Sequence, residues 1–449
     1  MDRSRLQDLL ARERAEAVRR CPRSKDAYGR ADHLFGRVPM TWMNKTAGPF
    51  PRYLATARGA RVTDIDGHEY IDFCLGDTGA MAGHSPAVVA EAVRHRFADQ
   101  GGATAMLPTE DAELVGAELT RRFGLARWSF SLTATDANRW AIRLARAVTG
   151  RPKILVNSYS YHGSVDESLI VVGPDGNGTA RPGNVGAPCD VTLTSRVAEF
   201  NDLDQLEREL AHGDVAAVLM EPALTNIGIV LPEPGYLAGV RELTRRHGTL
   251  LINDETHTFS AGPGGCTAAW GLEPDLLTIG KAIGGGIPAG AYGLSAELAE
   301  RLLERDDLDL VDMGGVGGTL AGNALSMAAV RATLEHVLTD EAFARMDELS
   351  QRFEAGVRAG IEAHALPWSV SRLGARTEYR FADPAPRTGT ESAAAADPDL
   401  EDFLHLYLAN RGILLTPFHN MALMCPDTTE QDVDAHTELF ASALSELAR

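Results

Sequence analysis

Short apolar segments that alternate with amphipathic helical segments constrain the fold of this chain more than any other feature. The apolar segments are KILVN (153–157), VAAVLM (215–220) and LLIN (250–253). Strands that are apolar at nearly every position are buried on both faces, which is typical of parallel sheets covered by helices. A helical pattern, YLAGVRELTRRHG (236–248), lies between the last two. The alternation predicts an α/β fold with a mostly parallel sheet and right-handed crossovers.

Other segments carry weaker signals of the same kinds. We predict an amphipathic helix over 1–20, a β-meander over 52–75, helices over 86–98, 110–123 and about 322–338, strands over 129–134, 275–280, 376–381 and 412–418, and a helix after residue 134 that Gly150 ends. The composition of residues 383–399, DPAPRTGTESAAAADPD, indicates a surface loop or a partly disordered segment.

Length and charge exclude several classes of protein. The 449 residues exceed what one simple core needs, so we expect two domains, or one large and one discontinuous. A formal net charge of −19 argues against binding to nucleic acid or to an anionic membrane. The charged N-terminus is unlike a signal peptide, and the five Cys have no paired spacing, so we expect a cytoplasmic protein with no metal site.

The scarcity of lysine makes one lysine informative. Of the 43 basic residues, 39 are Arg and four are Lys, at positions 25, 45, 153 and 281. Lys281 lies in the apolar, glycine-rich segment LLTIGKAIGGGIPAG. Lysine can lose its proton and act as an amine nucleophile, whereas arginine cannot. Lys281 is therefore a candidate nucleophile, with a solvated surface lysine as the alternative.

Further candidate residues follow predicted strands, where ligands of parallel sheets bind. They are Thr133-Ala134-Thr135, Tyr161-His162, Glu221-Pro222 and Asp254-Glu255. The first group suits a phosphate at a helix N-terminus, although taken alone it is more typical of an ordinary threonine helix cap. Asp254 could also be a helix cap or a metal ligand. Tyr161 could be a packing aromatic, and His162 a hydrogen-bonded core histidine.

Together these residues match the needs of pyridoxal phosphate (PLP). This cofactor requires a phosphate site, a lysine that forms a Schiff base with its aldehyde, a carboxylate at its ring nitrogen and a flat residue against its ring. We assign these four roles to 133–135, Lys281, Asp254 and Tyr161. Lys281 would then be the general base that moves the substrate proton. Glu255, next to Asp254, is expected to have a structural role.

Several longer motifs carry a resemblance to a known family. They are DIDGHEYIDF (64–73), YHG (161–163), Glu221-Pro222…Asn226, DE followed by GLEPDLLTIGKAIGGGIPAGAYG (271–293), and GGTLAGN (317–323). From about residue 36 to residue 440, the chain resembles class III (fold type I) PLP-dependent aminotransferases, and most of all the glutamate-1-semialdehyde aminomutase-like proteins.

The resemblance implies a large domain with a mostly parallel mixed sheet between helices, and a smaller α+β domain built from both termini. The corresponding limits are 1–75 for the N-terminal part, 76–325 for the PLP-binding domain and 326–449 for the C-terminal part. It also implies that Thr319 reaches the phosphate of the neighbouring subunit, in a homodimer with shared active sites. Glu221, Asn226, Thr256 and His257 are expected around the cofactor.

The chain also departs from the family pattern, on the side where the substrate is expected. Thr256 and His257 follow DE, where the family has an apolar valine first. The stretch FGRVPMTWMNK (35–45) has no Arg at the place where the aminomutase binds its substrate carboxylate, and Gly76-Asp77-Thr78 replaces Gly-Ser-Trp. We expect Trp42 and Asp77 to contact the substrate. Arg376 and Arg380, on one face of a predicted strand, could bind a carboxylate or form a surface ion-pair ladder with Glu378.

The predicted activity is amino-group transfer between an amino acid or amine donor and a keto or aldehyde acceptor. An intramolecular aminomutase and a racemase or epimerase remain open, because the same carbanion serves all three. An NAD-dependent oxidoreductase is disfavoured, since GGGIPAG does not have the GxGxxG spacing. A non-catalytic relative is disfavoured by the presence of both Lys281 and Asp254.

Overall fold

The computed structural model describes residues 2–186 and 189–448. The chain forms two compact units. The terminal unit comprises Met1–Pro86, Glu341–Ala385 and Ala395–Arg449, and the central unit comprises Ala87–Asp340 and Pro386–Ala394. The domain limits expected at residues 75 and 325 stay a prediction.

The helices are distributed over both units. In chain order the α-helices are α1 (Arg3–Arg20), α2 (Pro22–Arg30), α3 (Ala87–Arg94), α4 (Glu110–Phe123), α5 (Ala134–Thr149), α6 (Leu203–Leu210), α7 (Tyr236–His247), α8 (Gly265–Ala269), α9 (Ala296–Leu303), α10 (Ala324–His336), α11 (Asp340–Ala363), α12 (Gly389–Ala394), α13 (Pro398–Ala409) and α14 (Glu430–Ala448). Within the two described ranges, none of the helices combines the length and apolarity that crossing a membrane requires.

The strands are short. In chain order they are β1 (Leu54–Arg58), β2 (Arg61–Asp64), β3 (Glu69–Asp72), β4 (Arg127–Ser131), β5 (Lys153–Asn157), β6 (Ile170–Val172), β7 (Gly178–Ala180), β8 (Ser195–Ala198), β9 (Val215–Met220), β10 (Leu250–Asp254), β11 (Leu276–Ile279), β12 (Gly290–Leu294), β13 (Ser369–Leu373), β14 (Arg376–Arg380), β15 (Ile413–Leu414) and β16 (Met421–Leu423).

The central unit contains a seven-stranded sheet in the order β4-β12-β11-β10-β9-β5-β8. The pairs between β8, β5, β9, β10 and β11 are parallel. Only β12 runs the other way, because it pairs antiparallel with both β11 and β4. The α/β class with a mostly parallel mixed sheet is confirmed.

The alternation of side chains along the parallel strands explains why those strands are apolar. Ile154 and Val156 of β5 pack into a core that includes helix α5, whereas Leu155 packs on the opposite side with residues of α6 and α7. Since successive residues of a strand point to opposite faces, helices on both sides require an apolar residue at every position.

Helix α5 is defined by its two ends. Thr133 caps its N-terminus, because the Thr133 hydroxyl accepts a hydrogen bond from the Asp136 N–H at 3.1 Å. At the other end Gly150 has φ 68°, the left-handed conformation that favours glycine and ends a helix. The predicted end at Gly150 is confirmed, and the cap reading of Thr133 is confirmed with it.

The terminal unit contains two small sheets, ordered β1-β2-β3-β15 and β13-β14-β16. The first includes the predicted meander, since β1, β2 and β3 pair antiparallel in sequence order. Two other predictions were wrong in part. The strand expected over 412–418 is limited to Ile413–Leu414, and the segment 383–399 contains helix α12 in place of a loop throughout. Gly389 and Ser392 of α12 are buried, which composition alone did not reveal.

Candidate active site

The predicted site residues of the central unit follow the carboxyl ends of neighbouring strands. Asp254 is the last residue of β10, Glu221 follows β9, and Lys281 lies in a turn directly after β11. Asp254 is paired with Thr278 of β11, three residues before Lys281. Because parallel strands end at one edge of a sheet, these groups are brought together by the topology.

Asp254 is buried, and both of its carboxylate oxygens have hydrogen-bond partners. Its Oδ2 accepts from Asn138 Nδ2 at 2.8 Å and lies 2.9 Å from His162 Nδ1, and its Oδ1 accepts from the Thr256 N–H at 3.0 Å. Burial alone would raise the pKa of this carboxyl, but the hydrogen bonds and the neighbouring His162 hold the pKa below its usual value. Asp254 is therefore kept as a carboxylate in an interior position.

Asn138 of helix α5 is a residue that sequence reasoning missed. It is completely buried, and its Nδ2 donates both to Asp254 and to the His162 carbonyl, the latter at 3.1 Å. Its Oδ1 accepts from the Thr278 hydroxyl at 2.6 Å. The amide thus joins α5, β10 and β11. The signal available in the sequence was an asparagine among the apolar, core-facing residues of a helix, a place where a polar side chain needs partners.

Lys281 lies close to a second basic side chain. Its Nζ is 2.8 Å from His257 Nε2. Lys281 has φ 50°, which is unusual for a residue with a side chain and is typical of functional turns. The preceding Gly280 packs on the start of α5, since a Cβ there would lie 2.9 Å from the Ala134 nitrogen. Only glycine allows the lysine turn to approach this helix N-terminus so closely.

The region around the start of α5 is as compact as the lysine turn. Gly163, after Tyr161 and His162, has φ 80°, and a Cβ at this position would collide with Thr135 Oγ1. Ala134 and Thr135 lie in the first turn of α5, where backbone N–H groups have no partner within the helix. Tyr161 is half-buried, whereas His162 is buried. The geometry keeps the first turn of α5 near the Tyr161 segment.

The remaining predicted residues of the central unit are Glu221, Asn226 and Thr319. Glu221 is buried, and its carboxylate accepts a hydrogen bond from the Thr225 hydroxyl, while the nearby Asn226 is half-buried. Thr319 is exposed, in the glycine-rich segment after Val316. It lines a cavity together with Arg139 and Arg143 of α5. The placement of these residues around a cofactor stays a prediction.

Glu255 has the structural role that was predicted for it. It is completely buried, and its carboxylate accepts from the Thr258 hydroxyl at 2.5 Å, the Cys266 N–H at 3.1 Å and the Thr267 N–H at 2.6 Å. Burial raises the pKa of this carboxyl, although these hydrogen bonds act in the opposite direction. Glu255 therefore fixes the loop that follows Asp254.

The predicted substrate residues lie in the terminal unit. Trp42 is half exposed and meets Phe418 edge to face, with ring centroids 6.4 Å apart. Asp77 is half-buried, with φ 50°. Arg376 is buried, where its guanidinium donates to the Thr78 hydroxyl.

The alternative of a surface ion-pair ladder on β14 was wrong, because Arg376, Glu378 and Arg380 are all buried. Glu378 Oε1 lies 3.3 Å from His419 Nδ1. The assignment of Trp42, Asp77, Arg376 and Arg380 to the substrate stays a prediction.

One group of side chains in the terminal unit offers metal-ligand atoms. Atoms of Cys21, Asp64 and His68 lie within 4.8 Å of one another. Asp64 Oδ2 already accepts from the Tyr70 hydroxyl at 2.7 Å and lies 3.2 Å from His68 Nδ1. Hydrogen bonding accounts for this arrangement, and the expectation of no metal site stays a prediction.

Comparisons with known proteins agree with this geometry. Residues 42–444 match the family model described as "Aminotransferase class-III". The chain is 36% identical to glutamate-1-semialdehyde 2,1-aminomutase 2 of Geobacillus thermodenitrificans, over 95% of this chain and 98% of the relative.

Three solved structures extend the comparison. A glutamate-1-semialdehyde aminomutase from Pseudomonas aeruginosa PAO1 is 49% identical, with a TM-score of 0.96 over 100% of this chain and 99% of the other. The same protein has also been crystallised in complex with PMP. An omega-transaminase from Sphaerobacter thermophilus is 32% identical, with a TM-score of 0.85 over 94% and 97% of the two chains.

Proposed function

The chain belongs to the class-III aminotransferases, a PLP-dependent family of fold type I, and from this membership we propose that it transfers an amino group. The donor is an amino acid or amine, and the acceptor is a keto acid or an aldehyde. The observation that carries the proposal is the buried Asp254 carboxylate, held by Asn138 and His162. Lys281 lies in the turn after the adjacent strand.

The residues present fit the cofactor. Besides the ionised Asp254, two buried polar atoms, Thr256 Oγ1 and His162 Nε2, have no hydrogen-bond partner among the described residues. Buried polar atoms of this kind indicate a missing ligand or water. Asp254 would hold the ring nitrogen, and Tyr161 would cover the ring. A carboxylate next to the ring nitrogen raises the pKa of that nitrogen and so keeps its proton in place.

Lys281 is proposed to do the proton transfer. PLP, when bound, supplies an electron sink that makes the Cα–H bond of the substrate amine acidic. Lys281 Nζ would move the proton from the substrate Cα to the C4′ carbon of the cofactor in the first half of the reaction, and in the reverse direction in the second half. His257 Nε2, at 2.8 Å, restricts where Nζ can point. His257 therefore orients the base.

The phosphate end of the cofactor is assigned to the first turn of α5. Its N–H groups and the positive end of its helix dipole favour a phosphate, and Thr135 adds a hydroxyl. The Thr133 hydroxyl is used by the helix cap, so its proposed contact is limited to the backbone.

We further propose a homodimer in which Thr319 of the partner subunit contacts the same phosphate. Thr319 is exposed, as a residue donated to another subunit must be. The same segment of the central unit exposes large apolar side chains, including Val311 at 98% and Met313 at 82%. Apolar side chains exposed to this degree are typical of surfaces that another chain covers.

An intramolecular aminomutase is the second candidate. The names of the relatives from Geobacillus and Pseudomonas favour it. Against it, the stretch 35–45 has no arginine at the position expected for binding the semialdehyde's carboxylate. Transfer between two molecules is the reading that we place first for this reason.

The decisive experiment first locates the bound cofactor and then traces the transferred amino nitrogen. Borohydride reduction of PLP-loaded protein, followed by peptide mass spectrometry, should place the cofactor on Lys281. The loaded protein is then screened against ¹⁵N-labelled amines and amino acids with unlabelled keto acids. Label appearing in the acceptor supports transfer. Rearrangement of glutamate-1-semialdehyde without any acceptor would instead establish the aminomutase, and a colourless protein that requires NAD would overturn both.

A further inference from the structure

Arg181 is a basic residue of the central unit that has no role in the reaction proposed above. It directly follows β7, the second strand of the β6–β7 hairpin, and its side chain is half-buried. Its Nη1 donates to the Ser160 carbonyl at 2.9 Å. Its guanidinium carbon lies 5.6 Å from the centre of the Tyr159 ring. Arg181 is thus packed against the segment that leads into Tyr161.

The Tyr159 ring that supports Arg181 is held in a restrained position. Tyr159 has φ 63°, an uncommon conformation for an aromatic residue. Gly389 of α12 packs on this segment, since a Cβ there would lie 2.0 Å from the Ser158 carbonyl oxygen and 3.2 Å from Tyr159 Cβ. Strained backbone persists where the surroundings enforce it, often at ligand sites.

The guanidinium of Arg181 has N–H groups that make no hydrogen bond with the described residues. The guanidinium of arginine carries five N–H donors, and within residues 2–186 and 189–448 the bond to Ser160 is the one hydrogen bond that the Arg181 guanidinium makes. In the same ranges no carboxylate oxygen lies within 4.0 Å of it, whereas two other half-buried arginines of the central unit, Arg146 and Arg196, are paired with acidic residues. A half-buried cation without an anionic partner is costly, and an anion would relieve that cost.

The hydrogen bond to Ser160 places this cation near the proposed cofactor site, because Ser160 directly precedes Tyr161. Burial lowers the pKa of Arg181, while Tyr159, Tyr161 and Glu221 act in the opposite direction. Arginine nevertheless stays protonated at physiological pH. Tyr161 is the residue proposed to cover the cofactor ring. Arg181 is therefore bonded to the segment that carries the residue proposed to cover the ring.

We propose that Arg181 binds the carboxylate of the amino donor or keto acceptor, so that this protein prefers substrates that carry a carboxylate over simple amines. The inference rests on the proposed function and names the class of substrate. A guanidinium binds a carboxylate through two parallel hydrogen bonds, which a lysine cannot reproduce.

The first test compares matched donors in the half-reaction. PLP-loaded wild-type protein, Arg181→Gln and Arg181→Lys are mixed with phenylalanine and 2-phenylethylamine, or with alanine and ethylamine, while the cofactor absorption is followed. Arg127→Gln is the control, since Arg127 is exposed and its guanidinium likewise donates to one backbone carbonyl, that of Ala126 at 3.0 Å. We expect Arg181→Gln to raise the half-saturating concentration of the carboxylated donor about 10- to 100-fold. The amine should be unaffected, and Arg181→Lys should recover part of the loss.

A second test does not depend on turnover. Calorimetric titration of the PLP-loaded proteins with succinate and with succinamide measures carboxylate binding directly. Weaker succinate binding in Arg181→Gln, but not in Arg127→Gln, supports a carboxylate site at Arg181. If in addition no donor reacts, the proposed function fails while the carboxylate site is retained. Equal effects on carboxylated and neutral ligands, or no difference between Arg181→Gln and Arg127→Gln in both tests, would overturn the inference.

Discussion

Nζ of Lys281 lies 2.8 Å from Nε2 of His257, so the proposed base has a basic partner from the loop after β10. The two residues are 24 positions apart, and each follows the carboxyl end of its strand. His257 is buried at 8% exposure. The Lys281 side chain is therefore in contact with the loop that follows Asp254.

Replacing His257 should slow the proton transfer without releasing the cofactor. We expect His257→Leu to lower the single-turnover rate with a saturating donor about 10-fold, the effect of losing one well-oriented hydrogen bond. His257→Gln, whose amide oxygen can still accept, should lose less. His212→Leu, at an exposed position of the central unit, is the control. An unchanged rate in His257→Leu would remove the orienting role.

Replacing Asp254 should affect chemistry more than binding. Because the hydrogen bonds keep the pKa of Asp254 low, the group stays charged throughout the neutral range. We expect Asp254→Ala to lower kcat at least about 100-fold, as loss of a charge at the reacting centre does, while bound PLP measured by absorbance falls much less. Asp166→Asn, at an exposed carboxylate, serves for comparison. Equal losses of PLP and of rate would contradict the assignment.

Replacing Asn138 tests the connection between α5 and Asp254. Asn138→Ala leaves the Thr278 hydroxyl and one Asp254 interaction unpaired in a buried place, which costs about 1–3 kcal/mol of unfolding free energy. The rate should fall as well, because Asp254 loses a donor. Thr278→Val removes the hydrogen bond at the other end of the amide and leaves Asp254 paired, so it should lower stability with little effect on rate. Equal rate losses in the two variants would disprove the distinction.

The shared active site can be tested with mixed dimers. Lys281→Ala and Thr319→Asp subunits, each inactive or impaired alone, are combined with different affinity tags. If Thr319 acts across the interface, the mixed dimer contains one site with both residues intact and should regain about half the wild-type activity. If Thr319 acts within its own subunit, no site has both residues and the mixture stays impaired. A monomeric protein would contradict the dimer itself.

His436 makes the stability of the terminal unit depend on pH. It is fully buried, with its ring centroid 4.2 Å from that of Phe353, and burial lowers its pKa to about 3. The unfolded chain takes up the proton near pH 6.5, so the unfolding free energy falls as pH drops from there. At pH 5 one such site costs about 2 kcal/mol. His436→Leu should therefore reduce the loss of urea resistance between pH 7 and pH 5.

The control for this prediction is again the exposed His212. His212→Leu should show the same pH dependence as the wild type, since His212 lies at an exposed position of the central unit. If His436→Leu loses as much urea resistance on acidification as the wild type, His436 is not the group responsible.

The sequence revealed the central sheet because its strands are buried on both faces, and such strands have a distinct composition. It also identified Asp254 and Lys281, because a carboxylate after an apolar strand and a lysine in a nearly lysine-free chain are both conspicuous. Asn138 was missed because its importance depends on three partners from distant parts of the chain. The antiparallel β12, GAYGL, was missed because small residues carry no strand signal.

The burial of individual side chains was the property that the sequence predicted least well. Arg376 and Arg380 had a surface ladder as their alternative, since arginines are mostly exposed. Both faces of β14 turned out to be covered. Helix α12 was overlooked for the converse reason, because the buried Gly389 and Ser392 look like loop residues until the chain that packs on them is known.

The position of Asn138 also has a consequence for the length of the cofactor that we expect to fit the proposed site. Asn138 lies one turn of α5 beyond Ala134, and its side chain donates a hydrogen bond to Asp254. One rigid helical turn therefore separates the phosphate end of the proposed site from the carboxylate at its ring end. We therefore expect the protein to discriminate between cofactors by their length. An analogue with one additional methylene between ring and phosphate should bind poorly, even though both of its ends are chemically correct.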